Sequence, residues 1–167
     1  FASLVVGLEM LSVPLYGLVA YHRKRSRSLE AGIKYLVLSA TGSALLLLGM
    51  AFLYAQTGTL SLPAMGQQLA SQGDGLSYMV LAGCTLVLIA LGFKLSLVPF
   101  HLWTPDVYEG APAPASAFLA TVAKVAVAAV LLRWISWFPI IGSSALQNVL
   151  ILFAGLSMLA GNLLALH

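Results

Sequence analysis

A bilayer's hydrocarbon core, about 30 Å thick, is crossed by roughly 20 helical residues, and five runs of this chain are apolar over that length. They fall at about residues 1–21, 30–55, 76–103, 112–135 and 143–166. Inside lipid, every backbone N–H and C=O must be satisfied within the spanning structure, which leaves helices and closed barrels. The short strands of alternating polarity that a barrel needs are not found in the sequence. The chain is therefore expected to be all-α: a polytopic transmembrane bundle of about five helices, forming one membrane domain over 1–167. Composition agrees, with 60% hydrophobic and 8% charged residues, against about 25% charged in soluble domains.

Four of the eight Lys and Arg residues lie between Arg23 and Arg27. Basic residues beside a span mark its cytoplasmic end, so loop 22–29 is expected in the cytoplasm. The cluster is read as an orientation signal, with no nucleic-acid partner. Only Arg133 argues the other way. Cys84 is alone, so no disulfide, zinc or iron–sulfur framework can form within the chain. The first residues lack the basic start and cleavage site of a signal peptide, and both ends adjoin apolar runs. The chain is expected to be an internal piece of a longer polytopic protein. Between the second and third runs, a polar connection leaves room for a short surface helix at 64–71. Trp134 and Trp137 sit where an interfacial aromatic belt would place them.

The third run is too long. Its 28 residues would extend about 42 Å as one helix. Pro99 offers a reason for a break, because it cannot donate to the carbonyl of Leu95 and clashes with it. Broken helices at mid-membrane are tolerated where they line a cavity, and transporters use them for ion sites.

Three ionisable residues fall near mid-depth: Glu9, Lys94 and Lys124. Each costs about 2.5–3.5 kcal/mol to insert, on the order of 7–10 kcal/mol together. Snorkelling does not easily rescue Lys124, about 18 Å from the nearer end of its run at 1.5 Å per residue. Helical spacing places Ser12 and Tyr16 on the face of Glu9, Thr121 beside Lys124, Lys34 with Thr41, and Asn148 with Gly155 and Asn162. Each run thus offers one polar seam to a common interior. A buried lysine near a mobile carboxylate can gain or lose a proton, since burial and a negative neighbour pull its proton affinity in opposite directions. Glu9 with Lys94, then Lys124, reads as a proton path; a static ion pair joining helices is the alternative for the first two. Lys34 and His101 are supporting candidates, although Lys34 can snorkel beside Glu30 and His101 can simply cap carbonyls freed at the break. Asp106 and Glu109 read as a cap and a solvated face, and His22 and His167 as residues without chemistry. No phosphate-binding loop, dinucleotide fingerprint or haem-ligand pair is present. The chain itself is expected to hold no cofactor, no metal and no redox chemistry.

Residues 92–114, GFKLSLVPFHLWTPDVYEGAPAP, continue as SAFLATVAKVA to Ala126 and are flanked by SVPLYGLVAY (12–21) and SLEAGIKYLVLSA (28–40). These segments closely resemble the subunit N family of bacterial proton-translocating NADH–quinone oxidoreductase, respiratory complex I. That resemblance implies an antiporter-like subunit of about fourteen helices in two inverted repeats, each with a broken helix. The first four runs would then be most of the first repeat, and the fifth the opening of the second. It also implies that Glu9 modulates Lys94, the pump lysine in the broken helix, and that Lys124 is the central connecting lysine. Lys34 corresponds to a lysine on the uptake side and His101 to a histidine near the break. The family's last key lysine lies beyond His167, so the piece alone is expected not to pump. The implied setting is the bacterial inner membrane, among other membrane-arm subunits and the lipid bilayer. NADH, flavin, iron–sulfur clusters and quinone are expected in or at other subunits. A multi-subunit cation/proton antiporter of the same architecture is the rival reading.

Overall fold

The computed structural model describes residues 1–22, 24–71, 77–138 and 144–165. Eight helical segments follow one another among them: α1 (Ala2–Val19), α2 (Ser26–Thr57), α3 (Leu62–Ser71), α4 (Tyr78–Leu95), α5 (Trp103–Gly110), α6 (Ala113–Ala120), α7 (Val122–Trp137) and α8 (Ser144–Ala165). No strand occurs among the described residues, as expected for an all-α membrane bundle. Residues 2–19, 26–57, 78–95 and 113–137 are each long and apolar enough to cross a membrane. The expected limits at Leu76, Ser143 and Leu166 lie outside the described residues, as do Arg23 and His167.

Helix α2 is the axis of the bundle and packs against α1, α4 and α5. Its 32 residues extend about 48 Å, and Gly58 ends it in the left-handed region at φ 63°, where a glycine pays no steric penalty. Small residues bring α2 and α4 together. A Cβ on Gly49 would lie 2.8 Å from the carbonyl oxygen of Gly83, and one on Gly83 would lie 3.0 Å from that of Gly49. Close backbone approach at small residues is how helices gain packing inside a membrane, where apolar side chains have equally apolar lipid to contact.

The third run is interrupted, as its length and Pro99 imply, and the helix closes just before the proline. At its end, Ser96 takes φ 60°, its N–H donates to Phe93 O, and Leu97 N–H donates to Gly92 O at 2.9 Å. This is a Schellman motif with serine in the position glycine usually fills. The Ser96 cap and Pro99, which cannot donate to Leu95 O, thus interrupt the helix together. Pro99 stands three residues past the cap, in the turns over 96–102, and keeps the chain from re-entering a helix at once. The expected broken helix 76–103 thus becomes α4 and, after those turns, α5.

The fourth run is bent as well. Thr121 adopts φ −114° and ψ −79° between α6 and α7, and its hydroxyl donates back to Ala117 O at 2.7 Å. Such back-bonding tends to bend a helix. Lys124 thereby falls in the first turn of α7.

Two apolar clusters form the core. One joins Leu53, Met65, Val87, Leu91, Val127, Trp134 and Phe138. The other joins Leu15, Val19, Tyr35, Trp103 and Leu119, with Phe93 and Ala123 packed on it. Lys94 and Lys124 follow Phe93 and Ala123 directly, so both fall at the seam between clusters. Trp134, expected in an interfacial belt, is covered by the chain itself: it is 1% exposed and stacked on Phe138 at 4.7 Å. The reason is α3, whose buried Leu62, Met65 and Leu69 cover this end of α7. Trp137 keeps an exposed ring.

Replacing Gly49 by alanine should force α2 and α4 apart, because backbone blocks the new methyl. A loss of about 1–3 kcal/mol is expected, read as a lower thermal midpoint in detergent; an unchanged midpoint would show that the contact can relax.

Candidate functional site

The site is assembled where α1, α2 and α4 meet. Glu9 lies midway along α1, and one of its carboxylate oxygens, Oε1, accepts a hydrogen bond from Ser43 of α2. The same oxygen lies 3.5 Å from Lys94 Nζ, which also donates to Ser12 Oγ at 3.2 Å. The lysine side chain is 8% exposed and the glutamate 35%. The pair is therefore lopsided: Lys94 is enclosed, while Glu9 borders an apolar groove on the outer face of α1, between Val6, Met10 and Val13. The expected partnership of Glu9, Ser12 and Lys94 is found. Tyr16, on the same stripe, donates to Ser39 Oγ at 3.2 Å.

Lys124 is held differently. Its amine donates to the main-chain oxygen of Lys94 at 2.9 Å and to Ser96 Oγ, and it lies 4.9 Å from the centroid of the Trp103 ring. Ending α4 at Ser96 leaves Lys94 O without the i+4 donor a continuing helix would supply, and a helix C-terminus attracts cations. An ammonium has three protons to place; two oxygens and an aromatic face accommodate them without a carboxylate. Trp103 is fixed in turn by Phe93 and Tyr35, with ring centroids at 5.8 and 5.6 Å. The two lysines share no side-chain hydrogen bond. They share a cavity of about 30 Å³, bounded also by Ser12, Tyr35 and Ser39, a volume that can hold a water molecule.

The N-terminal end of α2 carries a second charged group. Lys34 pairs with Glu30 at 2.7 Å and with Asp106 of α5 at 2.6 Å, and Arg27 pairs with Glu109 at 2.9 Å. Asp106 thus ties α5 to α2, and Glu109, on a solvated face at 72% exposure, does so as well. The approach is close, since a Cβ on Gly110 would lie 2.7 Å from Arg27 O. Lys34 remains 40% exposed and does not reach the buried pair. His101 lies in the turns after the break with Nδ1 buried and without a hydrogen-bond partner. It caps no carbonyl through that atom and does not line the lysine cavity.

Several expected seams turn outward. Thr41 is exposed and donates to Val37 O, and Asn162 donates to Met158 O on its own helix. Of the buried polar residues of α2, Ser28, Ser39, Ser43 and Thr57, those at the site are Ser39 and Ser43, 3% and 8% exposed. They were legible as the small-residue face of α2 shared with Gly32, Gly42 and Gly49, rather than as partners of Lys34.

The fold and the site define a multi-pass membrane protein with buried cations at helix interruptions. Residues 1–167 match the family described as NADH:quinone oxidoreductase/Mrp antiporter, TM, and the chain belongs to that family. It is 60% identical over 164 residues to NADH-quinone oxidoreductase subunit N of Ectopseudomonas mendocina (strain ymp), covering 98% of this chain and 33% of that protein. Among solved structures, it is similar to a chain of respiratory complex I from Thermus thermophilus with bound aureothin. The TM-score is 0.77 at 40% identity, over 97% of this chain and 33% of that one. A chain of the membrane-bound sulfane sulfur reductase, an archaeal respiratory membrane complex, is similar with TM-score 0.79 at 30% identity, over 90% of this chain and 30% of the other. The chain thus spans about a third of the length of these relatives.

Ser43→Ala should destabilise the bundle by about 1.5–3 kcal/mol, since a hydrogen bond to a carboxylate is lost, while Thr41→Ala should be near neutral. Thermal unfolding of the two variants in detergent checks this; a larger loss at Thr41 would contradict the inward placement of Ser43.

Proposed function

We propose that this chain is part of a proton-translocating membrane-arm subunit of an NADH–quinone oxidoreductase, moving protons through Glu9, Lys94 and Lys124. The observation that carries this reading is the shared cavity. Two buried amines face one small space with hydroxyls on its wall, and a carboxylate holds one of them from the opposite side. Approach of Glu9 stabilises the charge on Lys94, and separation releases a proton that water in the cavity can pass to Lys124. Lys124 can hold it, because three electron-rich partners already surround its amine. Quinone reduction in other subunits supplies the drive, with NADH, flavin and iron–sulfur chemistry residing there as well. The partners are then the other membrane-arm subunits and the lipid bilayer of the bacterial inner membrane.

Lys34 with Asp106 and Glu30 lies at the uptake end in this reading, beside a polar cavity of about 240 Å³. His101 has a buried, unpaired ring nitrogen and is kept as a supporting group whose partner is not among its described contacts. The rival reading is a subunit of a multi-subunit cation/proton antiporter, favoured by the breadth of the family, whose description names Mrp antiporters alongside the oxidoreductases. The 60% identity to an NADH-quinone oxidoreductase subunit favours the first.

In the assembled complex, Lys124→Gln and Glu9→Gln should each cut proton pumping and slow quinone reduction. Full retention of both activities in a correctly assembled complex would refute the path. Orientation is tested separately. A cysteine replacing Ser26 should react with a membrane-impermeant maleimide only from the cytoplasmic side; labelling from outside would invert the topology.

A further inference from the structure

The αL serine at the end of α4 does more than complete a turn. Ser96 Oγ accepts the Lys124 ammonium and, from the opposite side, the hydroxyl of Thr104 at 2.9 Å. Thr104 stands in the first turn of α5 and makes no contact with Lys124 among the described hydrogen bonds. Its main-chain N–H is already used by His101 O. Two hydroxyls in series thus run from the amine of Lys124 to the first turn of α5, the turn that also carries Asp106 at the edge of the polar cavity over Lys34. Glycine would suit φ 60° better than serine does, so the backbone gives no reason for a side chain at this position. The hydroxyl does.

We propose that the Ser96–Thr104 hydroxyl pair is a second proton-conducting branch into Lys124, approaching from the α5 side and separate from the Lys94 route. Hydroxyls donate and accept at once and rotate to suit. When Lys124 is charged, it donates to Ser96, which accepts from Thr104 as well. When Lys124 is neutral, the Ser96 hydroxyl turns to donate to Nζ while still accepting from Thr104. A hydronium ion gives a proton to Thr104 Oγ1 and leaves as water, the Thr104 hydroxyl hydrogen passes to Ser96 Oγ, and the Ser96 hydroxyl hydrogen passes to Lys124 Nζ. Each O–H bond broken at a hydroxyl is matched by one formed there, the amine gains one N–H bond, and no electrons are transferred between groups. The branch rests on the proposed role of Lys124, and it gives that lysine a source that does not depend on Glu9.

The test uses the full-length subunit in its assembled complex, reconstituted into liposomes, with Lys124→Gln as the reference for a lost path. Thr104→Val keeps the shape of the side chain and every contact of Lys124, but removes the outer hydroxyl. Ser96→Gly removes the inner hydroxyl while relieving the backbone. Both should lose a large part of proton pumping per quinone reduced, and Thr104→Ser should restore it. Thr104→Ser also separates loss of the hydroxyl from loss of folding. Normal pumping by Thr104→Val, with Lys124→Gln inactive, would overturn the branch and leave the main path standing. Loss in Ser96→Gly alone would reduce Ser96 to a holder of Lys124 and overturn it equally. Normal pumping by Lys124→Gln would remove both readings together.

Discussion

The arrangement depends on a helix that closes at Ser96, about two turns short of the run's end. Because α4 closes at Ser96, Lys94 can send its side chain toward α1 while its carbonyl accepts from Lys124 on α7. One residue thus serves two helices through chemically different groups, a cation on one side and an acceptor on the other. A continuous helix would offer its carbonyls to its own backbone, and Lys124 would enter a wall of apolar side chains. Close packing at Gly49 and Gly83 holds α4 against α2, which sets the depth at which that cap lies.

The second consequence of early termination is α5. Once out of α4, the chain turns over seven residues and lays Trp103 beneath the Lys124 amine, between Phe93 and Tyr35. The charged ties of α5 to α2 are exposed, and such pairs are individually weak in water. The firmer hold is steric: Gly110 is seated against the backbone at Arg27, and Val107 is buried. Charge sets where α5 lies along α2, and close packing keeps it there.

Much of this was legible in the sequence, for identifiable reasons. Apolar length located the spans, and the cost of isolated charges in them singled out Glu9, Lys94 and Lys124. The pairing of Glu9 with Lys94 and Ser12 followed from periodicity and opposite charge. What escaped did so where a stronger local signal pointed elsewhere. Pro99 marked the break but not the cap at Ser96, because a Schellman cap is read from glycine and here serine fills its place. The bend at Thr121 has only a threonine hydroxyl behind it, and threonines are common in apolar helices. Trp134 looked interfacial from its position in the run; only α3 folding back over α7 buries it. The α2 seam was misplaced because Lys34, at a helix end, need not share the face that the serines turn inward.

Helix α2 has a property that its length makes plain. From Lys34, fixed by two carboxylates in the open, to Ser43, buried against Glu9, there are nine residues, or about 14 Å of rise. Over that distance the surroundings pass from a half-exposed ion pair to the enclosed side chains of Ser43 and Lys94, where a charge–charge contact is stronger. A single rigid rod therefore spans a gradient of permittivity. Since a rod transmits axial displacement undiminished, sliding α2 by a fraction of a turn would perturb weak contacts at one end and strong ones at the other. The same motion would be cheap at the surface and costly at Glu9.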